Sequence, residues 1–342
     1  MFAGMALLYV RSGYHLHHTR ALVPDTCRRE MRPNPTMLPF RFSVLSSTAS
    51  TMAAWRDHAR VAEGSGYSAL YVTDHLDNQF GPLVAATVAA EATTSLHVGT
   101  LVLNNDLRNP VVLAKEFASL GLAAEGRVEV GFGAGWLRSD YAQAGIDYDD
   151  PATRVDRLAE SVTVMKSLWN NDETTFDGEH YTVAGARCDP RPALPPRVMV
   201  GGGSKRILTV AAKQADIVGV NTSLASGEKG GDLAGSATFD HYDRCLAWVR
   251  DAAGERFSSL ELQIFAVAVM TVDSRRAATQ ISAMLGFGGE ASLDLPIVLI
   301  GTVDELCERL IERRERWGFS HVVVPGEAVE TFAPVVERLA GT

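Results

Sequence analysis

From Phe40 onward the chain alternates two patterns, short apolar runs rich in β-branched residues and longer stretches whose apolar positions recur every three or four residues. A continuous apolar run predicts a strand covered on both faces, and the longer period predicts a helix with one buried stripe. The stretch Leu96 to Trp136 shows both. Its runs LHVGTLVL and RVEVGFG flank a segment in which Val111, Val112, Ala114, Phe117, Leu120 and Leu122 fall at helical spacing. Asn109-Pro110 starts that helix, because proline lacks only a first-turn N–H that would be unpaired anyway, and Glu125-Gly126 stops it. A crossover of this length joins parallel strands.

The same alternation predicts strands FRFSVLS from Phe40, ALYVTDH ending at His75, RVMVGGG, DIVGVN, LQIFAVAVMTV and HVVVP. Helices are expected over Trp55 to Gly66, Pro82 to Ala92, the stretch after Asp150-Pro151, and SKRILTVAAKQA. Further helices are expected over FDHYDRCLAWVRDAAG, SRRAATQISAML and AVETFAPVVERLA. Val155, Leu158, Val162, Met165 and Leu168 form the core stripe of the helix after Pro151. IVLIGTVDELCERLIERRERWG is read as one helix with an apolar lead-in, its Thr302 and Glu305 at capping-box spacing. A short hairpin is expected around Gly178, and TSLASGEKGGDLAGSAT reads either as a lid or as a plain surface insertion. About eight strands alternating with helices predict a (β/α)8 TIM barrel with insertions. An open doubly wound sheet is second, because no G-x-G-x-x-G turn follows the first strand.

Composition narrows this little. With 46% hydrophobic and 21% charged residues in 342, the chain can bury a large core. A net charge of -9 argues against a nucleic-acid surface. No run is long and apolar enough to suggest a membrane span. Cys27, Cys188, Cys245 and Cys307 are scattered without metal or redox spacing, so reduced thiols in a cytoplasm are expected, and no metal site. The opening MFAGMALLYV lacks the flanks of a signal peptide. Residues 1–37 are expected to form a poorly ordered arm, or to arise from an upstream start codon, with a single barrel domain over 38–342.

Chemistry in a barrel sits where strands end. Asp74-His75 ends the second strand, and a histidine there can move a proton near neutral pH. The alternative is a capping Asp and a solvent-facing His. Gly131, Gly133 and Gly135 alternate toward Trp136, which clears one face for a flat ring or, alternatively, for close packing of the barrel. Gly201-Gly202-Gly203-Ser204-Lys205-Arg206 leads into a helix N-terminus, whose free N–H groups and dipole favour an anion such as phosphate.

TDH, GTLVLNNDLRNP, RVEVGFGAGW, FDGEHYTV, VGGGSKRIL and IGTVDELCERL together resemble the luciferase-like flavin and deazaflavin oxidoreductases, most closely the branch using coenzyme F420. The resemblance runs from Leu38 almost to the end. It implies a barrel with an isoalloxazine-like ring at its carboxyl mouth. Asp74 and Asn104 would contact the ring, and His75 would be proton donor or acceptor with Trp136 as an aromatic wall. A non-prolyl cis peptide, common in the family, would fall between Leu101 and Val102 and bulge the backbone against the ring. Ala134, Gly135 and Ser139 would line the ring edge or ribityl chain, and Gly202, Gly203, Ser204 and Arg206 would hold the phosphate.

The sugar-phosphate dehydrogenases of this family carry a carboxylate where Trp136 stands here, so an apolar or conjugated organic substrate is expected instead. The leading expectation is an enzyme that moves a hydride between F420 and such a substrate. An FMN-dependent monooxygenase using O2 and a non-catalytic cofactor-binding barrel are the alternatives. Related barrels commonly pair, so a homodimer is expected.

Overall fold

The computed structural model describes residues 37–224, 226–228, 236–284 and 289–342. In chain order its elements begin with β1 (Arg41–Leu45), α1 (Met52–Gly64), β2 (Ala69–Val72), α2 (Pro82–Ala92), β3 (His97–Thr100) and β4 (Leu103–Asn104). They continue with α3 (Pro110–Ala123), β5 (Val128–Gly133), α4 (Arg138–Ala144), α5 (Pro151–Asn170), β6 (Thr174–Asp177) and β7 (Thr182–Ala186). Next come β8 (Arg197–Gly202), α6 (Lys205–Gln214), β9 (Ile217–Val220), α7 (Phe239–Ala253), β10 (Glu261–Phe265) and β11 (Ala268–Thr271). The chain ends with α8 (Arg275–Met284), β12 (Val298–Gly301), α9 (Val303–Trp317), β13 (Phe319–Pro325) and α10 (Val329–Leu339). Except for Met37, the arm expected over 1–37 lies outside the described residues, as does part of the Gly/Ser-rich insertion.

Eight strands close into a parallel barrel in the order β1, β2, β3, β5, β8, β9, β10, β13 and back to β1. Helix starts follow the sequence signals. Asn109 and Asp150 cap α3 and α5 through their side chains, each with proline in the first turn. The hairpin of β6 and β7 forms around Gly178, and Glu160 of α5 caps its turn by accepting from the backbone N–H of Glu179 (2.8 Å), His180 (2.9 Å) and Tyr181 (3.0 Å).

Three expectations are corrected. LQIFAVAVMTV is two strands, β10 in the barrel and β11 in a separate parallel pair with β12. β10 is buried almost throughout and β11 is not, with Met270 38% exposed, but the run is apolar on both sides of the break and so carried no mark of it. The apolar lead-in is not helical: its VLIG forms β12, all of it buried. The Thr302–Glu305 capping box explains why, since a cap must stand at the first turn and α9 therefore begins at Val303. The seven-residue α4, ended by Gly145 at φ 69°, was not foreseen, because so short a helix shows no period.

β3 and β4 run along the same side of β5. Gly99 pairs with Glu129 and Leu103 with Phe132, so three residues on one side oppose two on the other. The extra residue is a bulge, and the peptide Leu101–Val102 within it is cis, as the resemblance implied.

The barrel interior is layered. Ala69, Tyr71, Leu101, Met199, Ile217 and Val323 form an apolar layer, with Leu45, Val102 and Phe265 half-buried above it toward the carboxyl ends. Below it, toward the amino ends, lies a charged layer. Arg41 pairs with Glu129 (2.7 Å) and Glu261 (2.8 Å), Arg197 with Glu261 (2.7 Å), and His321 Nδ1 lies 2.7 Å from Glu261. Tyr71 donates its hydroxyl to Glu129 across the boundary. The lower end is thus closed by ion pairs, which leaves the upper rim for chemistry.

Candidate active site

β5 and β8 are adjacent and parallel, with Gly131 opposite Met199 and Phe132 opposite Val200. The two glycine-bearing turns that follow these strands therefore share one rim, the carboxyl mouth. The bulge reaches it too. A Cβ on Gly131 would sit 2.1 Å from the Thr100 carbonyl oxygen and 3.2 Å from Val102 Cγ1, and one on Gly133 would sit 2.7 Å from Val102 Cγ2. The expectation of a face left bare by these glycines is refined accordingly. The cleared space at Gly131 and Gly133 is filled by the bulged strand, which brings the Val102 side chain across β5 to within 3.7 Å of the Cβ position on Gly201.

His75 stands beside this bulge. Its Nδ1 lies 2.7 Å from Asp140 Oδ2, and Asp140 Oδ1 accepts from the Leu76 N–H at 3.2 Å. The Trp136 ring meets the imidazole edge to face, with centroids 5.6 Å apart at 90°. The residues TDH and GW, distant in sequence, thus form one wall.

Asp74 is buried at 4% exposure with both oxygens engaged. Arg108 binds it in a two-pronged pair, Nη1 to Oδ2 at 2.5 Å and Nη2 to Oδ1 at 3.0 Å, and the Asn104 N–H donates to Oδ2 at 3.0 Å. The Asn104 side-chain oxygen accepts from the Asp106 N–H and lies 3.3 Å from the Tyr141 hydroxyl oxygen, leaving Nδ2 with no partner among the described residues. Tyr141 donates its one hydroxyl proton to Asp106 Oδ2 at 2.9 Å, with the Ala134 carbonyl oxygen 3.3 Å away, and the hydroxyl is pushed well above the ordinary range by burial and by the Asp106 carboxylate. Gly135, at φ 75°, carries hydrogen because a Cβ there would collide with the Tyr141 hydroxyl at 1.9 Å. Its carbonyl accepts from Arg154, whose guanidinium lies 4.0 Å over the Tyr148 ring. Ala134 is half-buried beside it, and Ser139 is exposed in the first turn of α4.

At the second turn, a Cβ on Gly203 would lie 2.5 Å from the Asn221 carbonyl oxygen and 2.7 Å from that of Thr222, and one on Gly202 would strike Ile207. Close packing of β8 against β9 and α6 therefore demands both glycines. Ser204 is the N-cap of α6, but its side chain makes no capping bond, so the first-turn N–H groups stay open to an external acceptor. Arg206 is exposed and pairs with Asp156 of α5, with Nε 3.1 Å from Oδ1.

Asp140, Arg108, Tyr141 and Arg154 were not singled out in the sequence. Arg108 stood within the quoted motif GTLVLNNDLRNP, four residues after Asn104, and Asp140 stands four after Trp136. Neither spacing means much until the bulge and α4 are known. Among the described residues no group of His, Cys, Asp and Glu could hold a metal, and no helix is long and apolar enough to cross a membrane.

Known proteins share this fold. Residues 35–234 match the family described as luciferase-like monooxygenase. Among curated relatives, an F420-dependent glucose-6-phosphate dehydrogenase of Gordonia bronchialis is 36% identical over 51% of this chain and 53% of its own length. One of Nakamurella multipartita is 28% identical over 81% of both chains. To most of the first relatives found, the match spans about half of their length. Among solved structures, an F420-dependent secondary alcohol dehydrogenase bound to an F420-acetone adduct aligns with a TM-score of 0.69 at 19% identity, over 88% of this chain and 99% of that one. The F420-dependent tetrahydromethanopterin reductase of Methanopyrus kandleri gives 0.68 at 16%, over 89% and 99%. At such identities the structural likeness speaks for the fold, whereas the family match rests on the sequence itself, and on that match this chain belongs to the luciferase-like monooxygenase family.

Proposed function

We propose that the protein is an oxidoreductase that transfers a hydride between coenzyme F420 and a small organic substrate at the carboxyl mouth. The observation that carries this reading is the bulge at Leu101–Val102, packed into the glycine face of β5 beside the His75–Trp136 wall. Relatives named for F420 supply the choice of cofactor.

The residues fit such a group. Leu101 and Val102 offer an apolar floor, Asn104 has a spare amide donor, and Ala134, Gly135 and Ser139 lie along the adjoining turn. The tail phosphate would fall to Gly202, Gly203, Ser204 and the open N–H groups of α6, with Arg206 sharing its guanidinium between Asp156 and the phosphate. Asp74 contributes by fixing Asn104 and Arg108 rather than by offering a free oxygen. The deazaflavin, when bound, supplies the hydride chemistry. His75 moves the substrate's proton at Nε2, and Trp136 excludes water beside it. An aromatic wall here favours an apolar or conjugated substrate over a sugar phosphate. The test is a panel of alcohols, ketones and conjugated carbonyl compounds, read by loss or return of the visible absorbance of F420. Turnover of a neutral member supports the reading, whereas O2-dependent turnover with FMN alone contradicts it.

The buried thiols Cys188 and Cys245, which form no disulfide, favour a reducing compartment, and we place the enzyme in the cytoplasm. We also propose a homodimer through the outer faces of the neighbouring helices α2 and α3, where Val84 is 60% and Val112 59% exposed. Sedimentation should give a dimer for the native protein and a monomer for the double variant Val84→Glu, Val112→Glu, with F420 affinity retained. A native monomer, or a variant that stays paired, would refute this interface.

A further inference from the structure

His75 has two ring nitrogens, and which of them carries the proton decides whether the side chain can accept one from a substrate. Nδ1 faces Asp140 Oδ2 at 2.7 Å. Asp140 is 2% exposed, and its other oxygen is bound to the Leu76 N–H. Its helix, α4, is anchored by the neighbouring Tyr141, which donates its hydroxyl to Asp106 at 2.9 Å and packs that oxygen 3.3 Å from Asn104 Oδ1 and from the Ala134 carbonyl oxygen. The carboxylate is thus fixed in place before any substrate arrives. An ionised carboxylate only accepts hydrogen bonds.

We propose that Asp140 is a positioning residue for His75: it keeps the proton on Nδ1, locks the ring against Trp136, and presents Nε2 as the bare nitrogen that exchanges a proton with substrate. This rests on the hydride-transfer reading given above. In the alcohol-oxidising direction the bound oxidised deazaflavin would supply the hydride acceptor for the substrate carbon, and the substrate hydroxyl would give its proton to Nε2. The C–H and O–H bonds break as the C=O bond forms. The imidazolium so formed keeps its Nδ1–H on the carboxylate until Nε2 releases the proton to solvent. In the reverse direction, protonated Nε2 delivers the proton to the carbonyl oxygen.

Asp140→Asn separates this role from a purely structural one. Asparagine can still accept from Leu76 N–H through Oδ1, but it places an N–H donor where Nδ1 needs an acceptor. The expected result is a switch of His75 to the Nε2–H tautomer, seen by imidazole nitrogen NMR with the signal assigned by its loss in His75→Gln. In the F420-bound enzyme kcat should fall by about 10²-fold or more, with cofactor affinity unchanged, the pH–rate profile altered and activity partly restored in Asp140→Glu. A variant with the native tautomer and native kcat would overturn the proposal. So would an Nε2–H tautomer in the native protein, a measurement that needs no variant to fold. Failure of the native protein to bind F420 would remove the proposed activity yet leave the tautomer result to be decided separately.

Discussion

Replacing His75 with alanine is expected to lower kcat with F420 by about 10²- to 10⁴-fold, the usual contribution of a positioned acid or base, while the dissociation constant for F420 changes little. The physical ground is the division of labour at the mouth. The candidate phosphate contacts belong to the β8–α6 turn and the ring floor to the bulge at Val102, and His75 is hydrogen-bonded to Asp140 rather than to either of them. Steady-state kinetics and a fluorescence titration on the same variant separate the two quantities. A non-catalytic carrier would show no difference in either. A variant that loses cofactor and turnover together would mean that His75 belongs to the ring site itself, against the arrangement argued above.

Replacing Glu129 with glutamine is expected to destabilise the fold by about 3 kcal/mol, because it removes one of the two carboxylates that compensate Arg41 inside the barrel and leaves only Glu261. The low end of the range for broken buried pairs applies, since the Arg41 side chain retains 22% exposure. Thermal unfolding should show a melting temperature lower by roughly 4 °C. The same layer sets the acid limit. Burial opposes the ionised Glu129 and Glu261, yet Arg41, Arg197 and His321 outweigh it and hold both carboxyls below the usual range. Burial, with Arg41 nearby, pushes the His321 imidazole down. All three groups hold protons less readily in the folded than in the unfolded chain. Their contribution to stability is therefore present near neutrality and lost as pH falls, first for His321 below the ordinary imidazole value of 6.5 and then for the carboxylates below the ordinary 4.5. Urea titrations at stepped pH should show this decline in the native protein, and a weaker decline in Glu129→Gln across the carboxylate range. Equal slopes would mean that the charged layer does not set the acid limit.

The barrel was legible because its code is repetitive. Apolar runs such as VEVGFG can be buried only in a sheet covered on both faces, and stripes such as Val155, Leu158, Val162 and Met165 can only face it. What escaped was set by contacts without a period. The break between Phe265 and Ala268 lies inside one apolar run, so nothing local distinguishes a barrel strand from the outer pair. Gly131 and Gly133 announced a cleared face, but that Val102 occupies it depends on one extra residue in a neighbouring strand. The cis peptide came from the family resemblance and not from any physical signal. Asp140 was invisible for a similar reason, since its role exists only once a seven-residue helix sets it against the end of β2.

The central claim is that the bulge and the two glycine turns on one rim seat a deazaflavin. It is tested most directly by titrating the purified protein in parallel with F420 and FMN and following cofactor fluorescence. Saturable quenching of F420 with weak or absent binding of FMN is the predicted result. Tight FMN binding with no response to F420 would contradict it.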